Sequence, residues 1–190
     1  QATSARLAVT AADTWLACLP LSHIGGLSVI TRAVVTGTRV VVHDGFDTGA
    51  VTEAASAGAT LVSLVPTALR RIDPSIFRCI VLGGSRPPGD LASNVVTTYG
   101  MTETGSGVVY DGLPLDGVDV SIGGHGQILV RGPMLLRAYR DGSVPTDAGG
   151  WLATGDAGSI GPDGRLSVDG RLSELIITGG DNVWPAAVEA

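Results

Sequence analysis

The sequence predicts an α/β protein, a mainly parallel sheet with helices, followed after Asp111 by a small antiparallel β-barrel-like unit. Three observations carry this. Short apolar runs in the first part do not alternate with polar residues: Val40–Val42, Leu61–Val65, Cys79–Leu82 and Asn94–Val96. Such runs suit strands covered on both faces, as in a parallel sheet. Between the first two lies the Ala-rich "DTGAVTEAASAG", and after Asp111 apolar and polar residues begin to alternate around Gly-rich turns.

In chain order, "PLSHIGGL" opens into "SVITRAVV", whose apolar spacing predicts a helix starting near Gly26 with Arg32 as its one cation. The Ala-rich segment starts at Asp47 or Thr48, stops at Gly58, and has the length of a crossover helix between neighbouring parallel strands. The strand Val95–Thr98 is expected to release "YGMTETGS" as a loop at its carboxyl end, where open α/β sheets bind ligands. "VDVSI" and "QILVRG" around "GGHG", and "RLSVDG" after "GPDG", are antiparallel hairpins with one wet face, and Leu175–Ile177 is a further strand. The divisions expected are 1–111 (an incomplete α/β nucleotide- and acyl-binding part), 112–170 (the β part), and 171–190 (a hinge and the start of a further small domain).

Composition narrows the function classes. The chain has 190 residues, 44% of them apolar, and its mean hydropathy is +0.34, the profile of a globular protein. A net charge of −6 leaves no basic field for nucleic acid or an anionic membrane. No apolar run approaches a membrane span and the first residues lack a secretory plan, so a cytoplasmic protein without stable membrane insertion is expected. Cys18 and Cys79 sit among apolar neighbours and read as buried reduced thiols. All 12 basic residues are Arg, so no step can use a lysine of this chain. That also removes the Lys-containing phosphate loop, while "GGSRP" breaks the hydrolase nucleophile pattern at Pro87 and the three His and two Cys lack metal-ligand spacing.

The densest chemistry is "TTYGMTETGS". Tyr99 offers a flat face to a base, Gly100 lets a ligand approach the backbone, Thr102 can bond a phosphate oxygen, and Glu103 supplies a hard oxygen for Mg²⁺. Taken singly, each has a plainer role: Tyr in a core, Thr and Glu at a cap or in solvent.

As an ordered string, "YGMTETG" resembles the adenylate-forming enzymes, the superfamily of acyl-CoA synthetases, luciferases and peptide-synthetase adenylation domains. Four more strings follow in that superfamily's order: "PLSHIGG" at Pro20–Gly26, "LGGS" at Leu82–Ser85, "WLATGD" at Trp151–Asp156, and "GRLSELIITGGDNVWPAAVE" from Gly170. Five matches along one chain are far more specific than one Gly-rich loop. The resemblance implies the large domain of such an enzyme with most of its C-terminal domain missing, and ATP, Mg²⁺ and coenzyme A as its ligands. It places Gly83, Gly84 and Ser85 near adenine, Asp156 on the ribose and Arg171 on ribose or phosphate oxygens. His23 then stands at the mouth of the acyl site, Ser173 is the hinge, and the loop at Gly179 and Gly180 lines the coenzyme A tunnel after domain rotation. Without the flanking strings, Asp156 reads as a turn residue and Arg171 as a surface ion pair.

Within the superfamily the resemblance narrows to the o-succinylbenzoate-CoA ligases of menaquinone biosynthesis, through "PLSHIGGLS", "TTYGMTETGSGVVYDGLPLDGV" and Ser173 in the hinge. Their substrate has two carboxylates, one to activate and one to recognise, and Arg32 is the candidate partner for the second; snorkelling to water is its plainer role. Two alternatives remain: another aryl or fatty acyl-CoA ligase or adenylation domain, and a non-catalytic nucleotide-binding module of the same fold. Departures from the superfamily are the absent phosphate loop, the absent lysine of the C-terminal domain, and too few residues after Ser85 for the helix expected before the next strand; they suggest a longer enzyme with pieces lost. The oligomeric state is left open, a homodimer included.

Overall fold

The computed structural model describes residues 1–178 and 181–184, the side chains of 177, 178 and 181–183 excepted. The chain divides into two compact units, Gln1–Asp111 and Gly112–Ala190.

The first unit is built on six strands: β1 (Thr14–Ala17), β2 (Arg39–Val42), β3 (Leu61–Leu64), β4 (Cys79–Leu82), β5 (Val95–Met101) and β6 (Ser106–Tyr110). Their order in the sheet is β2-β1-β3-β4-β5-β6. The first five run parallel, and β6 returns antiparallel against β5. Helix α1 (Ala2–Arg6) precedes β1; α2 (Ile24–Thr36) connects β1 to β2, α3 (Thr48–Ser56) connects β2 to β3, and the short α4 (Pro66–Leu69) follows β3. The mainly parallel sheet is therefore as the sequence predicts.

Alternation along the strands sorts the two faces. Leu16, Val62, Leu64, Ile80 and Leu82 point to the face that buries Val51 and Ala54 of α3. On β1 and β3 the intervening residues, Trp15 and Ser63, face the layer of α2, which packs on β1, β2, β3 and β6. Helix α3 begins where Asp47, with extended backbone, accepts a hydrogen bond from the Ala50 N–H at 2.9 Å. Helix α2 ends at Gly37 in the left-handed conformation, φ 68°, which glycine adopts without a Cβ clash.

Four details depart from the sequence reading. Strand β1 carries no turn signals of its own, and its four buried residues are too few to register as an apolar run. Strand β2 was expected to be covered on both faces, yet Val41 and Val42 are 40% and 50% exposed, because β2 is the edge of this sheet. Helix α2 starts at Ile24, two residues before Gly26, with His23 at its N-cap. Strand β5 runs on to Met101, so Tyr99 and Gly100 lie on a strand and not in a loop: β6 supplies the partner that extends the ladder.

Between β4 and β5, residues 83–94 contain no helix, consistent with the shortness noted in the sequence and near the minimum of about a dozen residues that a parallel crossover needs.

The second unit begins with the two-residue strand β7 (Leu113–Pro114). It then forms a four-stranded sheet of β8 (Asp119–Ile122), β9 (Gln127–Arg131), β10 (Leu152–Ile160) and β11 (Leu166–Arg171) in the order β11-β10-β9-β8, antiparallel throughout. β12 (Ile176–Thr178) pairs antiparallel with β13 (Asp181–Val183). The small antiparallel unit is as predicted.

Candidate active site

In the first unit the carboxyl ends of β3 and β4, the middle of β5, the start of β6 and the inner face of α2 enclose a cavity of about 140 Å³. It is lined by Arg32, Ser63, Gly83, Gly84, Thr98, Gly100, Ser106 and Gly107, with apolar side chains around them. Small residues make the space. A Cβ on Gly83 would stand 2.7 Å from the Thr98 hydroxyl, and one on Gly100 would collide with the carbonyl of Ser106 across the ladder. The "GG" of the His loop has a separate cause at Gly26, which packs against the carbonyls of Leu19 and Pro20 with no room for a side chain.

Among the described residues, Arg32 is the one charged side chain that lines this cavity. Its Nη1 donates to Ser63 Oγ at 3.4 Å and its Nη2 to Ser106 Oγ at 3.2 Å. Its guanidinium carbon lies 5.5 Å from the centroid of the Trp15 ring. No carboxylate pairs with it among the described residues. Burial pulls its pKa below the usual guanidinium value, with the charge of Tyr110 acting the other way; an arginine remains protonated throughout. The group is thus a partly buried cation held by neutral partners, unlike a side chain snorkelling to water.

The remaining candidates of this unit stand around the cavity. His23 is exposed at the N-cap of α2, one residue before the lining residue Ile24, and its side chain makes no cap hydrogen bond. Ser85 is exposed just past Gly84. Tyr99 is half-buried on β5 between the lining residues Thr98 and Gly100. Thr102 and Glu103 lie in a 3-10 turn after β5, the first exposed and the second half-buried. That turn is fixed by Thr104, which is buried, accepts from the Met101 N–H at 2.9 Å and donates to the Ser106 carbonyl at 2.6 Å.

In the second unit Asp156 and Arg171 are directly opposed in the β10–β11 ladder. Arg171 Nε lies 3.0 Å from Asp156 Oδ1, and its Nη1 donates to the Thr154 carbonyl at 3.3 Å. Asp156 is nearly buried, and its N–H donates to the Thr154 hydroxyl at 3.1 Å. The pair forms a carboxylate and a fork of donors side by side, a set suited to ribose hydroxyls. Ser173 is exposed in a 3-10 turn, Leu172–Glu174, and Gly179 and Gly180 lie outside the described residues.

Three contributors escaped the sequence reading: Trp15, Ser63 and Ser106. Ser63 had a signal, a lone hydroxyl inside the apolar run "LVSLV". Trp15 had none, and Ser106 closes the string "TTYGMTETGS" without a sign of its partner, because the contact of both with Arg32 depends on the order of strands in the sheet.

The cavity lies at the carboxyl ends of the strands of a mainly parallel sheet, the place where open α/β proteins bind their ligands. The family profile of AMP-binding enzymes matches residues 1–140, and the chain belongs to that family. It is 37% identical to the 2-succinylbenzoate–CoA ligase of Bacillus licheniformis over 216 residues, which cover 94% of this chain and 45% of the relative. The ligase of Bacillus subtilis is 35% identical over 97% of this chain and 46% of its own length. Among solved structures, the o-succinylbenzoate CoA synthetase of Bacillus subtilis in complex with its acyl-adenylate intermediate superposes with a TM-score of 0.90 at 33% identity, covering 99% of this chain and 47% of that one. The same enzyme in complex with ATP and a magnesium ion gives 0.89 at 34% identity, covering 99% and 48%. The chain therefore spans about half the length of the relatives it matches. An alignment of 216 residues that takes up 94% of a 190-residue chain also passes over segments of the relative that this chain lacks.

Proposed function

We propose that the chain is the acyl- and nucleotide-binding portion of an ATP-dependent acid–thiol ligase of the cytoplasm, acting on o-succinylbenzoate in menaquinone biosynthesis. In this reaction a carboxylate oxygen of the substrate attacks the α-phosphorus of ATP and pyrophosphate leaves. The thiol of coenzyme A then attacks the acyl carbon and AMP leaves. Catalysis of this kind is mostly alignment and neutralisation of charge.

The observation that carries the proposal is Arg32, a cation that lines a small cavity and has no acidic partner among the described residues. A monocarboxylic fatty acid gives such a cation nothing to bind, whereas the second carboxylate of o-succinylbenzoate does. The similarity to ligases of that substrate, and to one solved with ATP and magnesium ion, supports the same assignment.

The remaining roles follow from side-chain chemistry. Gly83, Gly84, Ser85 and Tyr99 would border the adenine, Gly100 would leave room at the backbone, and Thr102 would donate to a phosphate oxygen. Asp156 would accept from the ribose hydroxyls, with Arg171 beside it. His23 would meet the reacting carboxylate at the mouth of the acyl site, and Ser173 would be the hinge that brings in coenzyme A. Glu103 would hold Mg²⁺, which neutralises phosphate charge. The donor chemistry fits that ion: Glu103 is a half-buried carboxylate in the turn after β5, and Mg²⁺ takes one or two carboxylates together with substrate phosphates and water.

ATP–pyrophosphate exchange across a panel of carboxylic acids tests the proposal. Exchange is expected with o-succinylbenzoate above benzoates and fatty acids, and a preference for a monocarboxylic acid would overturn the substrate. The absence of any lysine favours a second reading, a nucleotide-binding module without catalysis. It predicts ATP binding with no exchange for any acid.

A further inference from the structure

Arg32 is held in a way that leaves its charge unspent. A guanidinium drawn even partly out of water is ordinarily paired with a carboxylate, because an unpaired charge is costly to desolvate. Here its neighbours are two hydroxyls and an indole. A carboxylate neighbour would satisfy the cation and also compete with any anionic ligand for the same N–H groups. The face of an aromatic ring offsets desolvation differently: its quadrupole attracts the cation perpendicular to the guanidinium's donors and accepts none of them.

Trp15 itself supports a specific role. It is completely buried in β1, next to the edge strand of the sheet, and its indole Nε1 finds no hydrogen-bond partner among the described residues. An unpaired buried N–H is unfavourable, and Phe would fill an apolar position without one. What Trp offers over Phe is the strongest cation-binding face of the aromatic side chains.

We infer that Trp15 is a positioning residue for the carboxylate-recognising cation: its ring holds the Arg32 guanidinium at the cavity without taking up any of its N–H donors, so that only two exchangeable hydroxyls compete with a ligand carboxylate. The inference rests on the proposed role of Arg32 and adds a second residue, on a different strand, to the set that decides between acids with and without a second carboxylate. Trp15 touches no reacting atom and acts only through Arg32.

The test is the ratio of dissociation constants, measured by calorimetry, for o-succinylbenzoate and for 4-oxo-4-phenylbutanoate, which lacks the ring carboxylate. Trp15→Leu is expected to cut the preference for the dicarboxylate about tenfold while changing the affinity for the monocarboxylate less than about twofold, and Trp15→Phe to cut it about two- to threefold. Equal weakening for both acids would mean that Trp15 is merely structural, and an unchanged ratio in a cooperatively melting Trp15→Leu protein would also overturn the inference. If Trp15→Leu does not fold, Trp15→Phe decides, with an unchanged ratio counting against the inference. Arg32→Ala separates the two levels. Loss of the preference in Arg32→Ala but not in the Trp15 variants sinks Trp15 alone, and an intact preference in Arg32→Ala sinks both.

Discussion

Arg78 closes on Asp13 with two nitrogens at once, Nε to Oδ1 at 2.8 Å and Nη2 to Oδ2 at 2.9 Å. Asp13 stands just before β1 and Arg78 just before β4. The same carboxylate accepts from the Thr60 hydroxyl, before β3, and from the Thr10 N–H, both at 2.8 Å. One buried carboxylate therefore ties together the entry points of three neighbouring strands. Burial by itself raises its pKa, but the hydrogen bonds from Arg78, Thr10 and Thr60 and the charge of Arg78 outweigh burial and bring it down to about 2.

A folded-state pKa below the unfolded value means that the stability Asp13 provides is fully present above about pH 4 and is lost as the pH falls through about 2. Asp13→Asn should therefore cost about 2 kcal/mol at neutral pH and flatten the acid limb of the stability curve. Urea melts of both proteins between pH 2 and 7 check this. Parallel acid limbs would show that Asp13 is not the group responsible.

Gly100 packs against the Ser106 carbonyl and Gly107 on β6. Gly100→Ala is expected to cost at least about 1–3 kcal/mol through overpacking, since the obstacle is backbone and cannot rotate aside. It should also narrow the cavity and weaken acid binding. A melting temperature unchanged from the wild type would contradict the close approach.

Asp156→Asn should weaken ATP about tenfold, because an amide accepts less well than a carboxylate from two hydroxyls. The o-succinylbenzoate affinity measured without nucleotide should stay the same. Titration of each ligand separately distinguishes a ribose contact from a general loss of structure, which would weaken both.

Both cysteines are buried, and burial pushes the Cys18 thiol up to about 11. Alkylation by iodoacetamide at pH 8 should be slow for the native protein and rapid for both thiols in denaturant. Fast modification of Cys18 in the folded protein would show that β1 opens readily.

How far the sequence spoke depended on how local each feature is. Strands β3 and β4 were legible because buried parallel strands are continuous apolar runs, and α3 because Asp47 and Gly58 bracket it. Strand β1 was not, since "TWLA" gains its identity only by lying between β2 and β3. The exposure of Val41 and Val42 was not legible either, because edge position belongs to the sheet order and not to the strand. At the site, ordered strings pointed to the family whose profile the chain matches, and Arg32 stood out as the one cation of its helix. The groups that set the character of Arg32 come from β1, β3 and β6, far apart in the chain, and no spacing announces them.

The most direct test is a calorimetric titration of wild type, Arg32→Ala and Asp156→Asn with a non-hydrolysable o-succinylbenzoyl-adenylate analogue. If the chain is the binding portion of such a ligase, the wild type binds the analogue far more tightly than either o-succinylbenzoate or AMP, and each substitution removes about tenfold or more. An analogue bound no more tightly than its halves, or bound equally well by either variant, would contradict the assignment of this chain to o-succinylbenzoate adenylation.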